Sequence, residues 1–279
     1  MTDYFPDYGK ILFHGIRKKM RAIDVQGLCT NFDDKPVLKG VDFWVDEGET
    51  TIIVGISGSG KTVLLKTIVG LLAPASGKIL IHGRDIAGFS QKNWNDIRRE
   101  IGMVFQGNAL FDSIPVWENV GFYLLEHTDL PVEDIRKKVT HSLSLVDLKG
   151  TEDLGVDELS GGMKKRVALA RTLIFEPKTI CYDEPTAGLD PLTAESIEEL
   201  MLDIQKKLGT AALMVTHDRH LTFAVANRIG VLSEGKVVGF GTTSEIKESK
   251  DKIVREFFRL GVEKNITNTT EARKNGDAE

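Results

Sequence analysis

The sequence predicts an α/β protein built around a phosphate-binding loop, and three observations carry that prediction. Short apolar runs of strand length, Thr51-Ile52-Ile53-Val54, Thr179-Ile180-Cys181-Tyr182 and Ala211-Ala212-Leu213-Met214-Val215, read as buried strands. Stretches with helical apolar spacing alternate with them, as in Val63 to Val69 and Lys164 to Phe175. The first run leads through Gly55-Ile56-Ser57-Gly58-Ser59-Gly60-Lys61-Thr62 into a helix. Strand, glycine-rich turn, helix is the context in which G-x-x-x-x-G-K-[ST] cradles phosphate.

The physical reason lies in the loop's backbone. Gly55, Gly58 and Gly60 let the chain turn tightly, so successive N–H groups from Ile56, Ser57 and Ser59 onward point inward at phosphate oxygens. The N-terminus of the following helix adds its partial positive charge at the same place. Lys61 supplies a point charge for the β- and γ-phosphates, and the Thr62 hydroxyl is placed to ligate Mg²⁺. A strand–helix turn that binds nothing is the bland alternative.

Composition narrows the class. The chain has 279 residues, enough for one large domain or two smaller ones, and 41% hydrophobic with 28% charged residues is the balance of an ordinary globular protein. Thirty-six Lys and Arg against 41 Asp and Glu give a net charge of −5, which disfavours nucleic acid as the main partner. The longest apolar stretch, around Val63 to Ala73, is interrupted by Lys66 and is too short to span a bilayer. Met1 to Lys10 contain Asp3 and Asp7 and lack a secretory signal's apolar segment. Cys29 and Cys181 have neither metal-ligand nor redox spacing and read as reduced core thiols. Any membrane role is therefore expected to come through a partner.

Taken in order, residues 1–21 read as an extension, first aromatic and then basic, either a solvated arm or a contact for a partner or an anionic lipid surface. Ala22 to Leu28 and Val37 to Val45 are expected as strands joined by a turn holding Asn31, Phe32, Asp33, Asp34 and Pro36. In that turn Phe32 could stack on an adenine ring or simply plug the turn. Lys78 to His82 reads as a strand, Asn95 to Glu100 as a short charged helix, and Ile101 to Phe105 as a strand delivering Gln106. Gln106 is either structural or a contact to Mg²⁺ or water. From Gly107 to about Glu158 the apolar spacing turns helical, and Pro115 and Pro131 sit where helices start, so this stretch reads as a helical insertion standing apart from the sheet.

The insertion closes with Leu159-Ser160-Gly161-Gly162-Met163, where Ser160 is placed as an N-cap and Gly161 and Gly162 leave N–H groups free. That is a second anion-binding helix start in the same chain. The strand at Thr179 ends in Asp183-Glu184, two carboxylates able to divide labour: Asp183 holds the Mg²⁺ shell while Glu184 orients and deprotonates a water. Ala187 to Pro191 form a turn before a helix through Leu200, and the strand at Ala211 carries Thr216, His217 and Asp218 past its end. His217 is either a structural hydrogen-bonder or a contact at the phosphates. Ile229 to Leu232 and Lys236 to Phe240 look like a closing hairpin. Beyond Thr242 the chain is charged, with Ile253, Val254, Phe257, Phe258 and Leu260 at helical spacing, and from Glu263 it is polar, as disordered segments are.

With these residues in hand, the chain resembles the nucleotide-binding subunit of ATP-binding cassette (ABC) transporters over about residues 22–245. GISGSGKT at 55–62 is similar to the Walker A motif, Gln106 to the Q-loop and LSGGM at 159–163 to the family signature. ICYDE at 180–184 is similar to Walker B, AGLD at 187–190 to the D-loop and His217 to the switch histidine. Walker A is shared by many NTPases, whereas a signature between Gln106 and Walker B is close to diagnostic. Met163 stands where Gln is more usual, and Tyr182 precedes the Walker B Asp; neither change removes a donor, ligand or base. The stacking position is expected at Phe32, where Tyr is more usual.

The resemblance implies a P-loop NTPase (RecA-like) core with an N-terminal antiparallel β subdomain and an α-helical subdomain inserted at about 107–165, followed by a C-terminal extension from 246. It implies an ATPase using ATP and Mg²⁺, in which two chains face head to tail. Each ATP then lies between Walker A of one chain and Ser160, Gly161, Gly162 and Asp190 of the other. Glu184 is the expected base, with His217 and Gln106 beside it; Thr62, Gln106 and Asp183 are the expected Mg²⁺ contacts, Asp183 through water. FQGNALFDSIPVWENVGFYLLEHTDLP at 105–131 and ELSGGMKKRVALAR at 158–171 resemble the ATPases of maintenance-of-lipid-asymmetry (Mla) and mammalian-cell-entry (MCE) systems. That implies a homodimer on the cytoplasmic face of the inner membrane, driving an integral-membrane permease that works with an MCE lipid-binding protein, in some systems with a STAS-domain subunit on the ATPase. Phospholipid is the implied cargo. An importer ATPase for an amino acid, metal or other small solute shares the same core. A soluble cassette acting in DNA repair or translation is the alternative from another class, disfavoured by the single cassette and the negative charge.

Overall fold

The computed structural model of the protein describes residues 20–86 and 88–258. The described residues begin with a long hairpin, β1 (Arg21–Phe32) and β2 (Lys35–Asp46), then β3 (Thr50–Val54) and helix α1 (Lys61–Ile68). Next come β4 (Ser76–Ile81), β5 (Arg84–Asp85), α2 (Gln91–Glu100) and β6 (Ile101–Val104). Three helices follow, α3 (Val116–His127), α4 (Val132–Leu145) and α5 (Gly161–Leu173), with a single turn of 3₁₀ helix at Val156–Glu158 before α5. The remainder is β7 (Thr179–Asp183), α6 (Pro191–Leu208), β8 (Ala211–Thr216), α7 (Arg219–Val225), β9 (Arg228–Ser233), β10 (Lys236–Thr242) and α8 (Thr243–Lys247), with a helical segment at 252–258.

Two sheets organise these elements. One is antiparallel with order β2-β1-β4-β5; the other has order β10-β9-β3-β8-β7-β6 and is parallel except for β10. The central strands are buried on both faces, which is why they read as unbroken apolar runs. Alternation still sorts their side chains into two cores. Ile52, Val54, Ile180, Tyr182, Ala212 and Met214 face the core shared with α3 to α6. Ile53, Cys181, Leu213 and Val215 face the core shared with α1 and the antiparallel sheet. The apolar faces of α3 and α4, through Val120, Ile135 and Val139, pack with α5 and run into the first of these cores, so the helical layer is continuous with the sheet face.

Several boundaries differ from the sequence reading. The first hairpin is longer than expected, and its turn shrinks to Asp33-Asp34, both with positive φ (48° and 60°), the backbone a two-residue hairpin turn needs. Phe32 and Asn31 therefore end β1 instead of lying in the turn, and Pro36 is accommodated on β2 because β2 is an edge strand. Helix α2 starts four residues earlier than Asn95, at a cap where Ser90 Oγ accepts from Asn93 N–H. Phe105 falls outside β6, and α6 runs to Leu208, stopped by Gly209 in the left-handed region. The short α8, capped by Thr242, was not expected. In the segment at 252–258, Val254 is buried and Phe258 stacks on Phe223, but Ile253 is 44% exposed and lies off the docking face. Leu260, the polar tail and all but the last two residues of the 1–21 extension lie outside the described residues.

Candidate active site

The phosphate loop sits where β3 hands over to α1. Its turn depends on Gly58 (φ 80°) and Gly60 (φ 106°), a region closed to most side chains; at Gly60 a Cβ would also press on Val37 at 3.1 Å and Leu38 at 3.2 Å. Lys61 opens α1 and is 7% exposed. Its ammonium donates to the Gly55 carbonyl at 2.8 Å and the Ile56 carbonyl at 3.3 Å, and lies 3.7 Å from Glu184 Oε1. Burial lowers the Lys61 pKa from the usual lysine value, opposed by the Glu184 charge. Ser59 Oγ is buried without a hydrogen-bond partner. An unpaired hydroxyl, a buried cation and an open helix N-terminus around one turn fit a phosphate chain.

Glu184 lines this cleft, whose volume is about 760 Å³, and Asp183 joins it through Thr62. Asp183 ends β7, one strand over from β8, and its Oδ1 accepts from Thr62 Oγ1 at 3.3 Å. Burial raises the Asp183 pKa, with Glu184 adding to the shift and the Thr62 hydroxyl opposing it. A hydroxyl and a carboxylate side by side are hard oxygen donors of the type that fits Mg²⁺. Glu184 has φ 47°, and its N–H donates to the Val215 carbonyl at 3.0 Å. That unusual backbone turns the side chain inward. Its Oε2 accepts from Thr216 Oγ1 at 2.9 Å and His217 N–H at 3.3 Å, and its Oε1 lies 3.0 Å from His217 Nδ1. A carboxylate held at both oxygens beside a phosphate loop is positioned to take a proton from water.

The other predicted anion site lies elsewhere. Ser160 caps α5, its Oγ accepting from Met163 N–H at 3.2 Å, and Ser160 and Gly161 are exposed at the helix start. Ser160 and Gly162 line a cleft with Thr193, separate from the one holding Lys61 and Glu184. Asp190 caps α6, accepting from Thr193 N–H at 3.1 Å and Thr193 Oγ1 at 2.6 Å; these bonds, the hydroxyl's foremost, hold its carboxyl below the usual range. The phosphate-loop cleft is lined by Phe32, Gln106, Glu184 and His217, and Phe32 is 48% exposed beside it.

Comparison with known proteins decides the family. The family model described as "ABC transporter" matches residues 38–187. The chain belongs to the ABC transporter family. This ABC protein is 42% identical over 252 residues to "Protein TRIGALACTOSYLDIACYLGLYCEROL 3, chloroplastic" of Arabidopsis thaliana, covering 84% of this chain and 72% of that one. It is 39% identical over 236 residues to "Probable ribonucleotide transport ATP-binding protein mkl" of Mycobacterium leprae, covering 85% and 68%. To "Intermembrane phospholipid transport system ATP-binding protein MlaF" of Haemophilus influenzae it is 37% identical over 237 residues, covering 85% and 90%. Among solved structures, cbiO1 from Clostridium perfringens, part of the ABC transporter complex cbiONQ, superposes with a TM-score of 0.76 at 34% identity, covering 90% of this chain and all (100%) of that one. A dimeric ATP-binding cassette in a post-hydrolysis state with ADP and Pi gives 0.71 at 30% identity, covering 79% and 98%. The α/β core is thus that of a P-loop ABC cassette, and the chain is an ATPase.

Several residues of this ABC cassette's site had no signal in the sequence reading. Thr216 holds Glu184, and only its place at the end of β8 hinted at a role. Arg219 and Phe257 also line the cleft, Phe257 arriving from the helical segment at 252–258, which docks on its own chain where Arg219 Nη1 donates to the Phe258 carbonyl at 3.2 Å. Lys165 and Arg171 on α5 grip the backbone around Gln106. Cations on a helix usually face water, so nothing in the spacing marked Lys165 as buried or Arg171 as half-buried.

Proposed function

We propose that this ATPase works as a homodimer on the cytoplasmic face of the inner membrane, peripheral to it, and powers an integral-membrane permease that moves lipid, with phospholipid as the cargo class. The observation that carries the dimer is the separation of the two phosphate-binding elements: Lys61 and Glu184 line one cleft, Ser160 and Gly162 another. A γ-phosphate needs donors on several sides, and one loop cannot surround it. Head-to-tail pairing sets Ser160, Gly161 and Gly162 of one chain against the phosphate loop of its partner, with Asp190 at the junction. The dimeric state of the cassette at 30% identity supports pairing of two copies.

Within each site, Gly55, Ile56, Ser57, Gly58, Ser59, Gly60 and Lys61 hold the phosphates, and Phe32 takes the adenine ring by stacking. Thr62, Gln106 and Asp183 would hold Mg²⁺, Asp183 through water, and the ion when bound would neutralise charge on the phosphates. Glu184 takes the proton of the attacking water while Thr216 and His217 keep it aimed. Lys61, freed from the Gly55 and Ile56 carbonyls, exchanges those bonds for phosphate oxygens.

The groove beyond Gln106 is the proposed seat of the permease. Phe111 and Phe122 are exposed there by 43% and 36%, their ring centroids 4.6 Å apart, with Tyr123 and Phe175 alongside. Lipid as cargo is supported by the similarity to the MlaF and TRIGALACTOSYLDIACYLGLYCEROL 3 proteins; an MCE lipid-binding protein and a STAS-domain subunit are further partners this reading adds on the sequence resemblance alone. The similarity to mkl favours a second reading, a small polar solute as cargo on the same catalytic core. Purification of the chain from detergent-solubilised membranes separates them. A permease carrying bound phospholipid supports the first, and a permease without lipid that binds a soluble solute overturns it.

A further inference from the structure

Between β6 and α3 the chain crosses from the sheet to the helical layer, and the backbone there is held in an unusual way. Lys165 Nζ donates to the Gln106 carbonyl at 2.6 Å, Arg171 Nη2 to the Asn108 carbonyl at 2.7 Å, and Arg171 Nη1 to the Ala109 carbonyl at 2.6 Å. Lys165 is 5% exposed, and burial lowers the pKa of both cations. Among the described residues neither has a carboxylate within 4.0 Å. Burying Lys165, and half-burying Arg171, without an ion pair is unfavourable unless the hydrogen bonds they make offset it. The loop they hold is itself strained: Asn108 (φ 61°) and Ala109 (φ 52°) are consecutive non-glycine residues in the left-handed region, and Asn108 Oδ1 is buried without a partner.

We infer that Lys165 and Arg171 are positioning residues that clamp residues 106–109 onto α5, so that Gln106 is tied to the helix bearing Ser160–Gly162. The same clamp joins three places of the molecule. Residues 106–109 lead directly into Phe111 of the aromatic groove; the α5 N-terminus carries the second phosphate-binding element; and the Gln106 side chain lines the nucleotide cleft. A displacement at the groove therefore reaches the nucleotide cleft through a strained loop tied to one rigid helix. The inference rests on the proposed role of Gln106 toward the nucleotide's Mg²⁺, and two measurements keep the two ideas apart.

The first is hydrogen exchange on the full-length, nucleotide-free protein. Lys165→Met should speed exchange at residues 107–111 by about tenfold, the effect of one lost charged hydrogen bond at the low end of its range, and Arg171→Met, which loses two, by at least as much. Protection of β6 and of α5 should stay unchanged, and Arg171→Lys should restore part of the protection. Unchanged protection at 107–111 would overturn the clamp whatever Gln106 does. The second is the Mg²⁺ dependence of ATP turnover at saturating ATP. Gln106→Ala and Lys165→Met should each raise the half-saturating Mg²⁺ about tenfold, the double variant should be no worse than Gln106→Ala alone, and Lys165→Arg should restore the wild-type value. A Lys165→Met protein that loses turnover at an unshifted Mg²⁺ requirement, beside a shifted Gln106→Ala, shows a merely structural lysine. If Gln106→Ala shifts nothing while the loop still loses protection, the role given to Gln106 fails and the clamp stands. Lys165→Gln replaces Lys165→Met in both arms if the latter does not fold.

Discussion

Replacing Glu184 by Gln tests the centre of the proposed chemistry, because the surroundings of this side chain can hold an amide almost unchanged. The Oε2 position accepts from Thr216 Oγ1 and His217 N–H, and the carbonyl of Gln accepts both. The amide nitrogen then takes the place of Oε1, 3.0 Å from His217 Nδ1, and can donate to that nitrogen in its unprotonated form. What is lost is proton acceptance, together with the negative charge 3.7 Å from Lys61. Loss of a positioned general base slows a reaction by about 10²–10⁴-fold. At about 1.4 kcal/mol per decade this is roughly 3–5 kcal/mol of transition-state stabilisation. Nucleotide affinity should fall little, because Lys61 and the loop N–H groups remain. The assay is phosphate release at saturating Mg-ATP, paired with equilibrium binding of a fluorescent ATP analogue. His217→Ala adds a second test: if His217 acts by aiming Glu184, its effect should largely disappear in the Glu184→Gln background. Near-normal turnover by Glu184→Gln, or full independence of the two substitutions, would refute this reading.

Three further outcomes follow from particular contacts. Burial raises the Asp183 pKa, so folding disfavours the charged carboxylate relative to the unfolded chain; that penalty is absent below the unfolded pKa and develops as pH rises through the raised folded value. Asp183→Asn should therefore raise the Tm of the nucleotide-free protein near pH 7 by a few degrees, about 1 kcal/mol, with the advantage shrinking as pH falls; a lowered Tm by calorimetry would contradict this. Asn119 is buried and bonds the Phe111 N–H and the Phe111, Ile114 and Pro115 carbonyls, so Asn119→Ala should cost about 2–4 kcal/mol in urea unfolding by leaving buried groups unpaired. Cys181 is fully buried in β7, and burial pushes its thiol up to about 12, so iodoacetamide at pH 8 should modify Cys29 in the folded protein and reach Cys181 only after denaturation, as mass spectrometry of the two peptides will show.

The parts of the fold legible in the sequence were those set by local physics. Strands buried on both faces announce themselves as unbroken apolar runs, so β3, β7 and β8 were found within a residue or so. The phosphate loop was legible because its glycines are demanded by backbone angles no other residue adopts easily. Boundaries set by tertiary pairing were not: Phe32 and Pro36 look like turn residues until β1 and β2 pair out to Asp33-Asp34. At the site, Asp183, Glu184 and His217 stood out because polar residues follow strands there. Thr216, Lys165 and Arg171 did not, since their roles are contacts with segments 32 to 63 residues away in sequence. The left-handed φ of Glu184 left no trace at all, because its cause is the N–H bond to Val215 on a neighbouring strand.

That bond also bears on why a single chain makes a poor enzyme in the proposed scheme. Glu184 is locked by Val215 and Thr216 of β8 and by His217 just past it, so the base needs no partner chain to be aimed. Lys61, by contrast, spends its donors on the Gly55 and Ile56 carbonyls of its own loop. Phosphate must displace those bonds, and the gain is only the difference between two sets of charge-assisted hydrogen bonds. Charge that develops on the transferred phosphoryl group is spread over three oxygens, and the donors on this side of the cleft reach only part of it. The exposed N–H groups at Ser160–Gly162 are the donors this chain does not turn toward its own cleft, and they sit at the head of the helix that grips the loop of Gln106. Placing them over a partner's phosphate would complete the charge stabilisation and, through α5, report that completion to the groove at Phe111. The electrostatics of the reaction thus favour the proposed dimer independently of the family resemblance.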